Sequence, residues 1–148
     1  MLTGPERERF QRLNPSGYVL LERNLEEPEQ TRLLTDALRE IDPGLDPIIA
    51  ADPHALRSVL PESLTPAALA ATGKPAPVAD SGAFTGDLLR LLGINLMLAP
   101  RLDLGDAGAA PSEWRWHADP QRVIDHAGMW NRWLRKHKVR AAAAGFPA

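Results

Sequence analysis

The sequence contains no cysteine, which excludes disulfides and thiolate metal sites outright. That composition fits a reducing compartment. It also lacks any run approaching the roughly 20 apolar residues of a membrane span. The N-terminal segment MLTGPERERFQRL is charged where a secretion signal would be apolar. A soluble cytoplasmic protein with no membrane partner is the expectation. Neither charge is in excess: 17 Lys and Arg stand against 19 Asp and Glu, for a net charge of -2. That balance argues against a generally nucleic-acid-binding surface. The four histidines (His54, His117, His126 and His137) lack the spacing of a zinc site, so no metal is expected. No cofactor is expected either. What remains is ordinary globular composition, 44% hydrophobic and 24% charged over 148 residues, which suits one domain spanning 1–148.

Short apolar runs alternate with helical patterns. Residues 5–13 suit a short helix with Phe10 and Leu13 on one face, and Asn14-Pro15-Ser16-Gly17 makes a turn. Tyr18 to Leu21 reads as a buried strand. Pro28 opens a helix whose stripe holds Leu33, Leu34, Ala37, Leu38 and Ile41, and Pro43-Gly44 ends it. Pro47 to Ala51 is a second strand. Residues 53–80 read as a long connection with one helical turn near Pro66 to Ala71. Ser81 is placed to cap a helix carrying Phe84, Leu88, Leu91 and Leu92, closed by Gly93. Ile94 to Ala99 is a third strand. Asp119-Pro120 starts a helix whose stripe includes Val123, Ile124, Ala127, Trp130, Trp133 and Leu134, with both tryptophans expected in the core. Val139 to Ala144 is a fourth strand. Strand–helix–strand alternation implies right-handed βαβ units and a parallel sheet. A complete (β/α)8 barrel takes about 250 residues. This α/β chain therefore reads as a partial TIM-type barrel of about four βα units.

Several segments, in order, resemble family 3 glycoside hydrolases, in particular the bacterial β-N-acetylhexosaminidase branch. GYVLLERNLEEPEQTRLLTDALRE resembles the family's first strand, Arg-Asn turn and Pro-Glu-Gln helix start. DPIIAADPHALRSV stands where the family has a strand ending in Asp-Gln-Glu-Gly-Gly-Arg-Val. LLRLLGINLMLAPRLDL is similar to its Leu-Gly-Ile-Asn strand and Ala-Pro-Val-Leu-Asp-Val end, and is the most specific match. WRWHADPQRV resembles its Arg-Ser-Phe-Gly-x-Asp-Pro stretch with one residue fewer. AAAGFPA lies where the family reads Ala-Lys-His-Phe-Pro-Gly.

The resemblance implies an active site at the C-terminal ends of the strands, where Arg23, Asn24, Asp52, Arg101 and Asp103 already cluster by sequence. It implies a β-linked N-acetylglucosamine-type saccharide as ligand. Asp52 matches the family's sugar-binding Asp, and a carboxylate can accept two hydroxyl hydrogen bonds. Arg57 matches the Arg of the same motif, Asp103 the Asp closing the third strand, and Arg115 the sugar-binding Arg before the Asp-Pro start. The glycines following the family's first Asp become Ala55 and Leu56, which lack glycine's backbone freedom. A further sugar-binding Arg becomes Leu60, and the Lys-His pair of the fourth strand falls on Ala144 and Gly145. The family's nucleophilic Asp and acid/base His lie downstream of the Phe-Pro-Gly motif, beyond Ala148. No catalytic residue is therefore expected among these residues, and this chain alone is expected to be inactive.

Plainer roles stand beside these. Asp52 suits a cap, and Asp103 suits an ion pair with Arg101 or Arg115. Trp114 and Trp116 suit either a sugar platform or a cover over exposed core, the latter being preferred. The basic stretch from Arg132 to Arg140 is best read as a cationic helix end rather than a nucleic-acid site. The chain reads as a glycosidase piece, a non-catalytic carbohydrate-binding remnant, or an interaction module. A half-barrel leaves two strand edges unpaired, so a homodimer or a complementary half-barrel chain is expected.

Overall fold

A computed structural model of the chain describes residues 2–59, 64–104 and 113–145. Nine elements follow in order: α1 (Gly4–Leu13), β1 (Gly17–Leu20), α2 (Pro28–Arg39), β2 (Ile48–Ala51), α3 (Pro66–Ala71), α4 (Pro75–Leu91), β3 (Leu96–Met97), α5 (Pro120–Lys136) and β4 (Arg140–Ala141). Short 3-10 turns at Glu22–Asn24 and Ala55–Ser58 follow β1 and β2. The strands form one parallel sheet in the order β1-β2-β3-β4, as a barrel quarter-by-quarter would lay them down. This is the partial TIM-type barrel the alternation implied.

Local chemistry sets the element ends. Thr3 and Glu6 form a capping box at α1: the Glu6 carboxylate accepts from the Thr3 backbone N–H and hydroxyl, each at 2.8 Å. These bonds hold the Glu6 pKa below the usual carboxylate value. The box is therefore fully formed above the unfolded-chain pKa and is lost as pH falls through the lower folded-state value. An NMR titration of Glu6 is expected to show a depressed midpoint that Thr3→Ala raises only part of the way, since alanine keeps the backbone N–H; an ordinary midpoint in the parent chain would contradict the box. Proline opens α2, α3, α4 and α5 at the first turn, where its missing N–H has no partner to lose.

Register rows show which face each strand residue takes. Leu20, Ala51, Met97 and Ala141 form one row, and Val19, Ala50, Leu96 and Arg140 the next. The first row faces the helices: Leu20, Ala51 and Met97 are buried in one core with Leu34, Leu38, Leu89, Trp130 and Leu134. The second row faces the barrel interior, where Val19 is 59% exposed, and Ile48, in line with it, is 41% exposed. Asn95, of the Leu-Gly-Ile-Asn segment, fastens β2 to β3. Its Oδ1 accepts from the Ile49 N–H at 2.8 Å and its Nδ2 donates to the Pro47 carbonyl at 2.9 Å. Thr35 and Arg39 of α2 donate to the Leu92 and Gly93 carbonyls, at 2.8 and 2.6 Å, tying α2 to the turn that feeds β3.

Several sequence expectations change. The helix expected to start at Ser81 starts at Pro75, because Lys74 has the extended backbone of a cap and Pro75 fixes the first turn. Ser81 is therefore inside α4. Phe84 and Leu91 are 51% and 70% exposed, and Ile124 is 63% exposed, since two helices and one sheet cannot cover every side of α4 and α5. Trp130 is buried, but Trp133 is half-exposed beneath the Lys136 ammonium, 4.0 Å from the ring centroid. The third and fourth strands are shorter than the apolar runs that signalled them.

Candidate functional site

The C-terminal ends of β2, β3 and β4 form the rim of the open barrel. At β2 the chain turns sharply through Pro53 into the 3-10 turn Ala55–Ser58. Asp52 organises that turn: its Oδ1 accepts from the Ala55 N–H at 2.7 Å. Its Oδ2 has no hydrogen-bond partner among the described residues, and the side chain is half-buried. The capping role and an acceptor available to a ligand are thus carried by different oxygens of one carboxylate.

Ala55 and Leu56, standing where the resembled motif has glycines, are 3% and 0% exposed. They anchor the turn in the core. Arg57 follows on the exposed side, paired with Glu113, and its guanidinium lies over the Trp114 ring at 5.2 Å from the centroid. His54 packs against the same tryptophan, with ring centroids 4.9 Å apart. Trp114 is therefore engaged by two side chains and is no open sugar platform. Trp116 is 3% exposed and stacks on His126, so it covers core as the plainer reading had it.

Pairing between β3 and β4 continues past the strands: Leu102 donates to the Ala144 carbonyl at 2.9 Å and Ala144 to that of Pro100 at 3.0 Å. This extension carries Asp103 to the foot of the β4 end. Asp103 is 3% exposed, and its Oδ2 accepts from Arg101 Nε at 2.6 Å. Of the two arginines considered for it, Arg101 is the partner. Its Oδ1 is buried without a partner among the described residues. The carboxyl group sits against Gly145, in the space that a side chain at 145 would occupy. Arg115 is half-buried, with no ion pair or hydrogen bond among the described residues.

The four expected binding residues thus fall into separate groups. Asp52 and Arg57 share the turn after β2, and Arg57 reaches Glu113 two residues before Arg115. Asp103 belongs to the β3–β4 end with Arg101 and Gly145. Glu113 was not foreseen, because it lies in a low-complexity stretch with no local pattern linking it to Arg57. Asn24, at the β1 end, is structural: its Oδ1 accepts from the Leu21 N–H at 2.9 Å. Leu60, residues 105–112 and Phe146 to Ala148 lie outside the described residues. Among the described residues no group of three His, Asp or Glu could hold a metal ion, and no helix is long and apolar enough to cross a membrane.

The architecture is that of a partial TIM-type barrel. A family 3 β-N-acetylglucosaminidase from Paenibacillus sp. str. FPU-7 superposes with a TM-score of 0.84 at 24% identity, over 99% of this chain and 30% of that one. NagZ from Neisseria gonorrhoeae, solved with N-trifluoroacetyl-D-glucosamine, gives 0.83 at 22% identity over 99% of this chain and 48% of that one. The β-N-acetylglucosaminidase from Thermotoga maritima gives 0.83 at 18%, over 99% and 32%. At such identities the likeness establishes the fold. The chain spans less than half the length of each of these structures. No protein-family model and no curated protein matches the sequence.

Proposed function

We propose that these residues form the sugar-binding half of a family 3 glycoside hydrolase barrel of the β-N-acetylhexosaminidase type, and that they hydrolyse no glycoside unaided. The observation that carries this reading is the four-stranded parallel sheet, matched over 99% of the chain by acetylglucosaminidases, with the free oxygen of Asp52 at its C-terminal rim. A β-linked N-acetylglucosamine-type saccharide is the ligand, with Asp52 accepting its hydroxyls and Arg57, Asp103 and Arg115 shaping the rim. A retaining glycosidase needs a nucleophilic carboxylate and an acid/base group facing each other across the scissile bond. Asp103 is buried and neutralised by Arg101, and Asp52 is committed to its turn. Neither is poised for that chemistry, so both groups must come from other strands. A second copy or a complementary half-barrel closes the open edges. The absence of cysteine favours a reducing, cytoplasmic setting.

A second reading, a non-catalytic remnant, is favoured by the burial of Leu56, which turns the would-be glycine loop into a core anchor. One experiment separates them. Calorimetric titration with N-acetylglucosamine is expected to show weak binding that falls at least tenfold in Asp52→Ala. Aryl N-acetyl-β-glucosaminide is expected to stay intact with the chain alone and to be cleaved when strands five to eight of a family 3 barrel are added. Binding without cleavage in the mixture favours the remnant. Cleavage by the chain alone, or sugar binding untouched by Asp52→Ala, defeats the assignment of Asp52.

A further inference from the structure

A cavity of about 320 Å³ lies on the helix side of the sheet, enclosed by β3, α3, α4, α5 and the Trp114–Trp116 segment. It is separate from the barrel interior, which is lined by the opposite register row. Leu69, Met97, Trp116 and Trp130 give it apolar walls, Ser81 and Thr85 of α4 line one side, and Arg57 and Arg101 stand in its wall. That size and lining are those of small-molecule sites, which run from roughly 300 Å³ and combine apolar walls with a few polar groups.

Three observations fix the class of ligand. The walls are preformed: Leu69, Met97 and Trp116 are 2%, 3% and 3% exposed and belong to the main core. They need not reorganise to receive a guest. Both cations are already neutralised, Arg57 by Glu113 and Arg101 by Asp103. An anion would have to compete with a carboxylate for either guanidinium, and a cation would lose its hydration in a mainly apolar space with no free carboxylate to replace it. An uncharged molecule meets neither penalty. Finally, Ser81 and Thr85 bring hydroxyls to one side of the cavity. A hydroxyl can donate to an acceptor on a guest, so the wall favours a guest that carries one.

We propose that this cavity binds an uncharged, ring-sized apolar molecule bearing one or two hydrogen-bond acceptors, at a site on the helix side of the sheet whose wall shares Arg57 with the sugar rim. The barrel's reading as a carbohydrate scaffold is not needed for it.

The test titrates the full chain with 6-propionyl-2-(dimethylamino)naphthalene, an uncharged probe with a carbonyl acceptor whose emission rises and shifts to the blue on burial. Saturable binding of one probe per chain is expected, with quenching of tryptophan emission, because Trp114, Trp116 and Trp130 all line the cavity. Ser81→Phe projects a ring into the space from α4 and is expected to weaken binding at least tenfold. Thr85→Met, one helical turn on, fills the same space and serves if Ser81→Phe does not give the parent circular dichroism spectrum. Val19→Asp, on the barrel-interior face, leaves binding unchanged, as does excess N-acetylglucosamine. Non-saturable binding, no binding, loss in Val19→Asp but not in the filling variants, or displacement by the sugar would each overturn the proposal.

Discussion

Purified chain is expected to elute as a dimer, at twice the mass of one chain by light scattering, and Val19→Asp with Ile48→Asp to return it to monomer. The reason lies in the sheet. Among the described residues β1 and β4 each have one paired neighbour, so their outer edges carry N–H and C=O groups with no strand partner there. The interior face of β1 and β2 holds Val19 and Ile48, 59% and 41% exposed. Apolar side chains on an open face of a parallel sheet are unusual, because such sheets are ordinarily covered on both sides. A two-fold axis along the barrel direction sets β4 of one copy beside β1 of the next with all strands still parallel, making eight. A chain purified by itself has only its own copies to pair with, and a complementary half would compete for the same edges. Val19 and Ile48 are each about half-exposed, so burying the remainder contributes roughly 1 kcal/mol apiece, and losing four across a dimer should weaken association by about a thousandfold. Sedimentation across a concentration series reads this directly. A folded monomer at high concentration would show that the open face tolerates water.

The largest expected loss of stability comes from Gly82→Leu. The helix pair α4 and α5 backs β3 and β4, and the two helices approach backbone to backbone at Gly82. A Cβ there would lie 2.5 Å from the Trp130 carbonyl oxygen and 3.2 Å from the Trp133 Cβ. The near atom is backbone, so relief requires moving a helix rather than turning a rotamer. Overpacking of this kind costs typically 1–3 kcal/mol, occasionally more, and leucine is expected to cost about 3 kcal/mol. Helix propensity alone would predict a gain of about 0.8 kcal/mol on replacing glycine by a good helix former. The contrast with Gly128 isolates the cause, since a Cβ at Gly128 on α5 meets nothing within 4 Å. Gly128→Ala is therefore expected to stabilise by up to about 1 kcal/mol. Urea denaturation of the two variants should shift the midpoint in opposite directions. A shift of Gly82→Leu toward higher urea would mean that the two helices are not held at this separation.

The alternating apolar runs announced four strands, their order and their helical connections, because period and length are local properties. The Leu-Gly-Ile-Asn segment carried information of a second kind, since Asn95 spends its whole amide group on fastening β2 to β3. The extent of α4 was less legible. Pro and Ala at 75–79 read as a linker, yet a proline at a helix start is harmless, and the helix runs through Ser81. Exposure was illegible as well. Phe84, Leu91 and Ile124 fit a helical stripe, but a stripe wider than the available partners leaves part of itself in water.

By itself the sequence determined that the chain alternates strand and helix, that polar residues gather where strands end, and that no thiol chemistry is available. Only the tertiary structure decided what those polar residues do. It gave one oxygen of Asp52 to a turn and left the other free, sank Asp103 against Gly145 beneath Arg101, and joined Arg57 to Glu113 from a distant loop. The Arg57–Glu113 pair and the contact of Asp103 with Gly145 join segments far apart in the chain. Their partners are chosen by packing, which no local pattern of residues encodes.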